Sequence, residues 1–371
     1  MFKVDGLQHR VGEHCESSAT RDILEFYGIS ISEPLAFGLD GLLGFSYFNS
    51  ENSAFTQDSV DYPIFIGGKQ GFFNPNSLLF RIFGIKVRKQ TFTSSEKAWE
   101  ESKKLLQQNE PLIIQVEIMH LDYFQDIEFN YGGHTIVLGG YHDDYALVAD
   151  SIFDGFQKIS IENLKKARNS TLGPSFLHPK NTQYSFEVRE DGKRPPFSAA
   201  VKLALKQHSD NILRPSTNYL GLQGMKNFSN DILKWKAIMK GEVTKSTGQK
   251  ISREQIGLET IYNGIETFGT GGSLFRKIFN SFLQELEENQ ELKIGIKSWS
   301  QQDFDYLNNS IQICESSIEL WNNFSTTLKK VLEKDKTKYL DDSNLAELHQ
   351  TMNQIIKTEQ ELFTTLLKIK M

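Results

Sequence analysis

The sequence predicts an α+β domain followed by a mostly α-helical one. Three observations carry this reading. The first half mixes helical periodicity with apolar runs of strand length, the composition breaks at a polar, Pro-ended segment near residue 190, and apolar residues beyond it recur almost entirely at helical spacing. At roughly 150 residues per domain, the 371 residues suffice for two cores. The 39% apolar and 24% charged fractions are those of a globular chain, with no tract biased enough for disorder. The 27 phenylalanines, 12 tyrosines and 4 tryptophans imply extensive apolar packing or a ring-lined pocket.

Taken in order, His14 to Tyr27 places Ala19, Ile23, Phe26 and Tyr27 on one helical face, and Gly28 supplies the left-handed stop. Phe37 to Asn76 is rich in Gly and Phe with Asn and Pro punctuation, which predicts loops around short strands. Ser94 to Gln108 reads as an amphipathic helix, and strands are expected at Pro111–Ile118, His134–Gly140, Tyr145–Asp150 and Tyr184–Val188. The segment from Glu190 to Pro196 then sets two domains, 1–190 and 191–371. In the second, Leu274, Phe275, Ile278, Phe279, Phe282, Leu283 and Leu286 share one helical stripe. Leu307 to Leu328 and Met352 to Leu366 form two more, which predicts antiparallel helices.

The formal net charge of −6 divides into −8 for residues 1–190 and +2 for 191–371. An acidic total without Lys/Arg runs interleaved with aromatics excludes a general nucleic-acid binder. Met1 to Arg10 lacks the features of a signal peptide, and no run reaches the ~20 apolar residues that span a bilayer. A cytoplasmic protein with no membrane partner is expected. Cys15 and Cys314 lie in regions of different character, so no structural disulfide is expected. The sequence does not indicate an oligomeric state.

Cys15 opens the first helix, where unpaired backbone N–H groups and the helix macrodipole favour a thiolate and suit a nucleophile. Cys314 sits inside an apolar stripe and belongs to the core. Gly132-Gly133-His134 leads into a strand that returns through Tyr145 to Asp150, a β-hairpin. With an odd loop of three residues (141–143) or five (140–144), His134 lies opposite Asp150 on one face; an even loop puts them on opposite faces. On one face, the carboxylate orients the imidazole as the third member of a nucleophile, base and acid set. His9, His14 and Cys15 do not make a metal site, because adjacent residues on a helix point apart and no second Cys/His pair exists. Gly67-Gly68-Lys69 lacks the rest of a phosphate-binding loop.

The order of cysteine on a helix, histidine opening a strand and aspartate closing the next resembles the papain-like cysteine enzymes. More closely, His14-Cys15-Glu16-Ser17-Ser18-Ala19, Tyr27-Gly28, Ser32-Glu33-Pro34 with Phe37-Gly38-Leu39, and Gly133 to Tyr141 are similar to the amino-terminal domain of the butirosin-biosynthesis acyltransferase family. Asn218-Tyr219-Leu220-Gly221 through Phe228 to Trp235, and Gly269-Thr270-Gly271-Gly272 through Arg276 to Leu283, resemble its helical carboxy-terminal domain.

The resemblance implies a papain-like catalytic domain followed by a helical lid or docking domain, in antibiotic biosynthesis or related specialised metabolism. It implies acyl transfer from the phosphopantetheine arm of an acyl or peptidyl carrier protein to a small-molecule amine, through a thioester on Cys15. His134 would be general base and acid, Asp150 its orienter, and no further cofactor or metal is expected. Papain-like enzymes supply an oxyanion donor from a glutamine shortly before the cysteine; Gln8 is the candidate, with His9 or His14 as substitutes. Phe37, Phe45, Tyr47 and Phe48 are candidates to wall a water-excluding channel. Gly271 and Arg276 are candidates for an anion cradle at a helix start, against a plain turn capped by Ser273. The near-neutral second half is the better docking surface for an acidic carrier. Alternatives are a peptidase, amidase or thioester hydrolase on the same three residues, or a non-catalytic ligand-binding protein on the same frame.

Overall fold

The computed structural model describes residues 1–49, 63–124, 131–173, 175–189, 194–244, 250–293, 298–333 and 340–369. Glu190 to Lys193, the first part of the expected boundary segment, lies outside the described residues, as does the middle of the Gly- and Phe-rich stretch. The elements run β1 (Phe2–Lys3), α1 (Cys15–Phe26), α2 (Glu33–Asp40), β2 (Leu43–Asn49), β3 (Ile64–Lys69), α3 (Leu78–Ile82), β4 (Ile85–Thr91), α4 (Ser95–Gln107), β5 (Leu112–Val116), β6 (His134–Tyr141), β7 (Tyr145–Ala149), β8 (Phe156–Ser160), α5 (Ile161–Arg168) and β9 (Thr182–Val188). Then come α6 (Phe197–Leu213), α7 (Gly221–Ile232), α8 (Trp235–Ile238), β10 (Glu242–Thr244), β11 (Lys250–Ser252), α9 (Arg253–Glu266), α10 (Arg276–Glu288), α11 (Gln290–Lys293), α12 (Gln301–Glu333) and α13 (Asp342–Leu366). The chain is α+β, a sheet-containing unit and a helical one.

The two units are discontinuous in sequence. One comprises residues 1–40 and 72–195, the other 41–71 and 196–371. A single break at 190 assigns residues 41–71 to the first domain; the fold counts them with the helical one. The physical reason is packing: β2 and β3 pair with each other and bury Phe45 and Tyr47, both 0% exposed, against α7 and α12.

In the first unit one antiparallel sheet has the order β4-β9-β5-β6-β7-β8, with β1 also pairing β6. The central strands are apolar on both faces; Leu112 to Ile114 and Ile136 to Leu138 are buried, as expected of strands covered on both sides. The helix α1 packs on β6. It begins where His14 caps it, the ring Nδ1 accepting from the Ser17 N–H at 3.3 Å, and ends at Gly28 with φ +78°.

The β6–β7 hairpin corrects the loop expectation. Near the turn Tyr141 pairs with Ala146 and Gly140 with Leu147, an even connection that by itself would separate His134 from Asp150. A β-bulge between Leu138 and Gly140 then shifts the register by one, so that Leu138 pairs with Val148 and Val137 with Ala149. The shift restores the side-chain parity. Asp150 follows the end of β7 and sits diagonally across from His134 rather than directly opposite, and both side chains share one face. Gly139 is the inserted residue: a Cβ there would stand 2.6 Å from Leu7 Cδ2 and 2.8 Å from Phe156 Cε1, and its carbonyl accepts from the Val4 N–H at 2.9 Å.

The second unit is built on α12 and α13, which pack along one another. Its core holds Phe228, Trp235, Trp321, Phe324 and Phe363, all 0% exposed. This cluster, with Phe45 and Tyr47, accounts for much of the aromatic excess.

Candidate functional site

Cys15 is the first residue of α1, half-buried, its sulfur free of any disulfide. The turn before it is tied down by Glu33 at the start of α2. That carboxylate accepts from the backbone N–H groups of Glu13 (3.0 Å) and His14 (2.8 Å) and from Ser17 Oγ (3.0 Å), with Arg21 Nη1 at 3.7 Å. Burial pushes the Glu33 carboxyl up, and these donors oppose the rise. Gly12 allows the close approach, since a Cβ there would stand 2.5 Å from Ser18 Cβ and 2.6 Å from Glu33 Oε2.

His134, the first residue of β6, donates from Nε2 to Asp150 Oδ2 at 2.7 Å. With Nε2 so engaged, Nδ1 is the ring nitrogen left for Cys15, whose side chain favours the charged form of the ring. Burial lowers the imidazole's pKa, but the charge and hydrogen bond of Asp150, helped by Cys15, outweigh it and hold the ring well above its ordinary value. Tyr123 also donates to Asp150 Oδ2, at 2.9 Å, and its own hydroxyl is pushed up by burial and by that carboxylate. Phe124 packs edge-on to His134 with centroids 5.9 Å apart, and Phe153 packs edge-on to both Phe124 and Tyr123. Apolar rings therefore limit water around the imidazole–carboxylate pair, which strengthens it. On the following residue of the neighbouring strand, Glu117 is fully buried and accepts from the Tyr131 N–H at 2.6 Å; burial raises its carboxyl to about 6.

The structure thus brings Cys15, His134 and Asp150 together. Phe37 belongs to the same unit and packs edge-on to His14, centroids 5.8 Å apart, itself 2% exposed. Gln8 is exposed at the surface. Its neighbour His9 is the side chain that reaches inward, to Asp22 and to backbone carbonyls.

The remaining candidates lie in the second unit and are occupied by packing. Phe45 and Tyr47 are core, and half-buried Phe48 packs on Phe65 and Tyr219. Arg276 is corrected from an anion cradle to a buried ion pair: at 0% exposure its Nε and Nη2 donate to the two oxygens of Glu359 at 2.8 and 2.7 Å, and Nη1 donates to the Leu274 and Gly44 carbonyls. Glu359 also accepts from Ser317 and Trp321. Gly271, with φ +65°, opens a run in which Gly272, Ser273, Leu274 and Phe275 all have positive φ. The guanidinium that follows secures this costly backbone internally rather than presenting it to an anion. Cys314 is core, as its apolar stripe indicates, and burial pushes its thiol far up.

The sequence does not mark Tyr123 or the role of Glu33. The Ser32-Glu33-Pro34 motif was the available signal for Glu33; Tyr123 stands in no pattern that marks it. Among the described residues no group of three or more His, Cys, Asp or Glu side chains is placed to hold a metal ion, and no helix is long and apolar enough to cross a membrane.

Residues 14–151 match the family described as butirosin biosynthesis protein H, N-terminal. Residues 162–366, more than half of the chain, match the family described as Domain of unknown function (DUF4872). No curated protein matches the chain.

Proposed function

Because the chain belongs to the butirosin biosynthesis protein H-like family, we propose that it is a biosynthetic acyltransferase working through a Cys15 thioester on a papain-like frame. Membership suggests a biosynthetic enzyme of acyltransferase type. The observation that carries the finer reading is the His134–Asp150 pair, Nε2 to Oδ2 at 2.7 Å, with Cys15 among the groups that favour the charged ring.

In the first step the Cys15 sulfur attacks the carbonyl of an acyl thioester on a carrier protein's phosphopantetheine arm. The C–S bond to the arm breaks, and the departing sulfur takes a proton from His134. In the second step an amine attacks the acyl-enzyme, His134 accepts its proton, and the Cys15 sulfur leaves. Asp150 stabilises the imidazolium of each stage and holds the ring so that Nδ1 faces the thiol. Transthioesterification is nearly isoenergetic, so the barrier to lower is charge on the tetrahedral intermediate; the backbone N–H at the start of α1 is a donor for it. No cofactor beyond the carrier's arm is required.

The test is intact-mass analysis after incubation with acyl-loaded carrier proteins of several chain types. Wild type is expected to gain one acyl mass, removed by an added amine with formation of the amide, and Cys15→Ala to gain none. An adduct that survives in Cys15→Ala sinks the reading. An adduct released only by water assigns a thioester hydrolase instead.

A further inference from the structure

Asp150 is held in an unusual way. Its Oδ2 takes both donors, His134 and Tyr123, while its buried Oδ1 has no hydrogen-bond partner among the described residues. A carboxylate gripped by one oxygen relies on its backbone to set its direction. That backbone begins the turn Asp150 to Phe153, closed by the Phe153 N–H donating to the Asp150 carbonyl at 3.0 Å. His9 meets this turn. Its ring, 2% exposed, donates from Nε2 to the carbonyls of Asp150 (3.1 Å) and Phe153 (3.0 Å), and its Nδ1 lies 2.5 Å from Asp22 Oδ2. The other Asp22 oxygen accepts from Arg21 Nε and Nη2, at 3.0 and 2.9 Å. Three residues after His9, the Gly12 N–H donates to the Ser151 carbonyl at 2.7 Å.

The geometry points to His9 as a positioning residue: it clamps the turn that aims Asp150 at His134 and ties that turn to the segment leading into Cys15. Among the described residues each hydrogen-bond partner of the His9 ring is an acceptor, which no neutral tautomer satisfies at both nitrogens. The carboxylate of Asp22 and the two carbonyls outweigh the burial that opposes protonation, and they raise the ring above its ordinary range. The residues from 9 to 15 therefore form a strap from the acid's turn to the nucleophile's helix. The inference deepens the acyl-transfer reading and rests on it for the word function; the hold on Asp150 does not depend on which acyl group is moved.

The test compares His9→Ala, His9→Gln and Asp22→Asn, each checked for native circular dichroism. Ring NMR of labelled histidines follows the His134 titration, set by Cys15, Asp150, Tyr123 and Glu117. In His9→Ala it is expected to fall by about one unit or more, because Asp150 no longer sits in line. The transfer kcat should drop on the order of 10- to 100-fold, as misplacements of about 1 Å do, with KM nearly unchanged. His9→Gln, which retains one donor, falls between and stands in if His9→Ala does not fold. Asp22→Asn keeps the hold: its amide donates to Nδ1 of a neutral ring whose Nε2–H still serves both carbonyls, and its oxygen still accepts from Arg21. It should stay near wild type. A folded His9→Ala or His9→Gln with an unmoved His134 titration overturns the proposal, as does an Asp22→Asn loss equal to that of His9→Ala. Failure of the acyl-transfer reading is separate, since it appears as a wild type without a Cys15 adduct while the NMR titration remains readable.

Discussion

Replacing Asp150 with asparagine removes a charge while leaving almost every contact available. The amide oxygen can take the place of Oδ2 and accept from both His134 Nε2 and Tyr123, and the amide nitrogen then occupies the position of Oδ1, which has no partner among the described residues. Across the 2.7 Å contact the charge centres stand roughly 4 Å apart, so at an effective dielectric of about 20 the attraction is about 4 kcal/mol, or about three pKa units. That has the sign and the order of magnitude of the rise of His134 from 6.5 to about 10, which burial opposes and the Asp150 hydrogen bond and Cys15 assist. Asp150→Asn should therefore bring His134 to about 6.5 or below. The sign for stability follows. A histidine whose folded pKa is raised contributes fully below about 6.5, and the contribution is lost as pH rises through about 10. Wild type should lose stability across that window, by at most about 5 kcal/mol, and the variant should not. Histidine ring NMR and denaturant unfolding at intervals between pH 6 and 10 read both effects. A His134 titration in the folded variant within about half a unit of wild type would refute the electrostatic argument.

In the helical unit, Arg276→Met should cost about 3–5 kcal/mol by leaving the buried Glu359 unpaired, and adding Glu359→Gln should recover part of that loss in urea unfolding. Glu117→Gln tests a carboxyl raised from 4.5 to about 6, a shift that weakens the fold as pH rises through that window. The amide should gain up to about 2 kcal/mol at pH 7 and lose the advantage below about pH 4.5, visible in melting temperature against pH. Gly12→Ala places a Cβ against Ser18 and Glu33 and should cost about 1–3 kcal/mol. It should also slow alkylation of Cys15, because the turn before that residue must shift; an unchanged rate and stability would count against the close packing described.

What the sequence determined by itself is local or periodic: the helix from Cys15 with its stop at Gly28, the strands around His134 and Asp150, the helical stripes of the second half, and three residues of a recognisable order. These are legible because each depends on neighbours within a few positions. The face shared by His134 and Asp150 depends instead on an extra residue at Gly139, and a bulge leaves no trace in alternation when the strand is apolar on both sides. The assignment of residues 41–71 to the helical unit, and the burial of Arg276 on Glu359, required knowing which distant faces meet. The same holds for His9 and Tyr123: each acts on Asp150 across more than twenty residues, and such a contact exists only once the sheet has closed. Sequence supplied the chemical groups; tertiary packing decided their aim, because hydrogen-bond direction is set by backbone placement to a fraction of an ångström and no propensity encodes it.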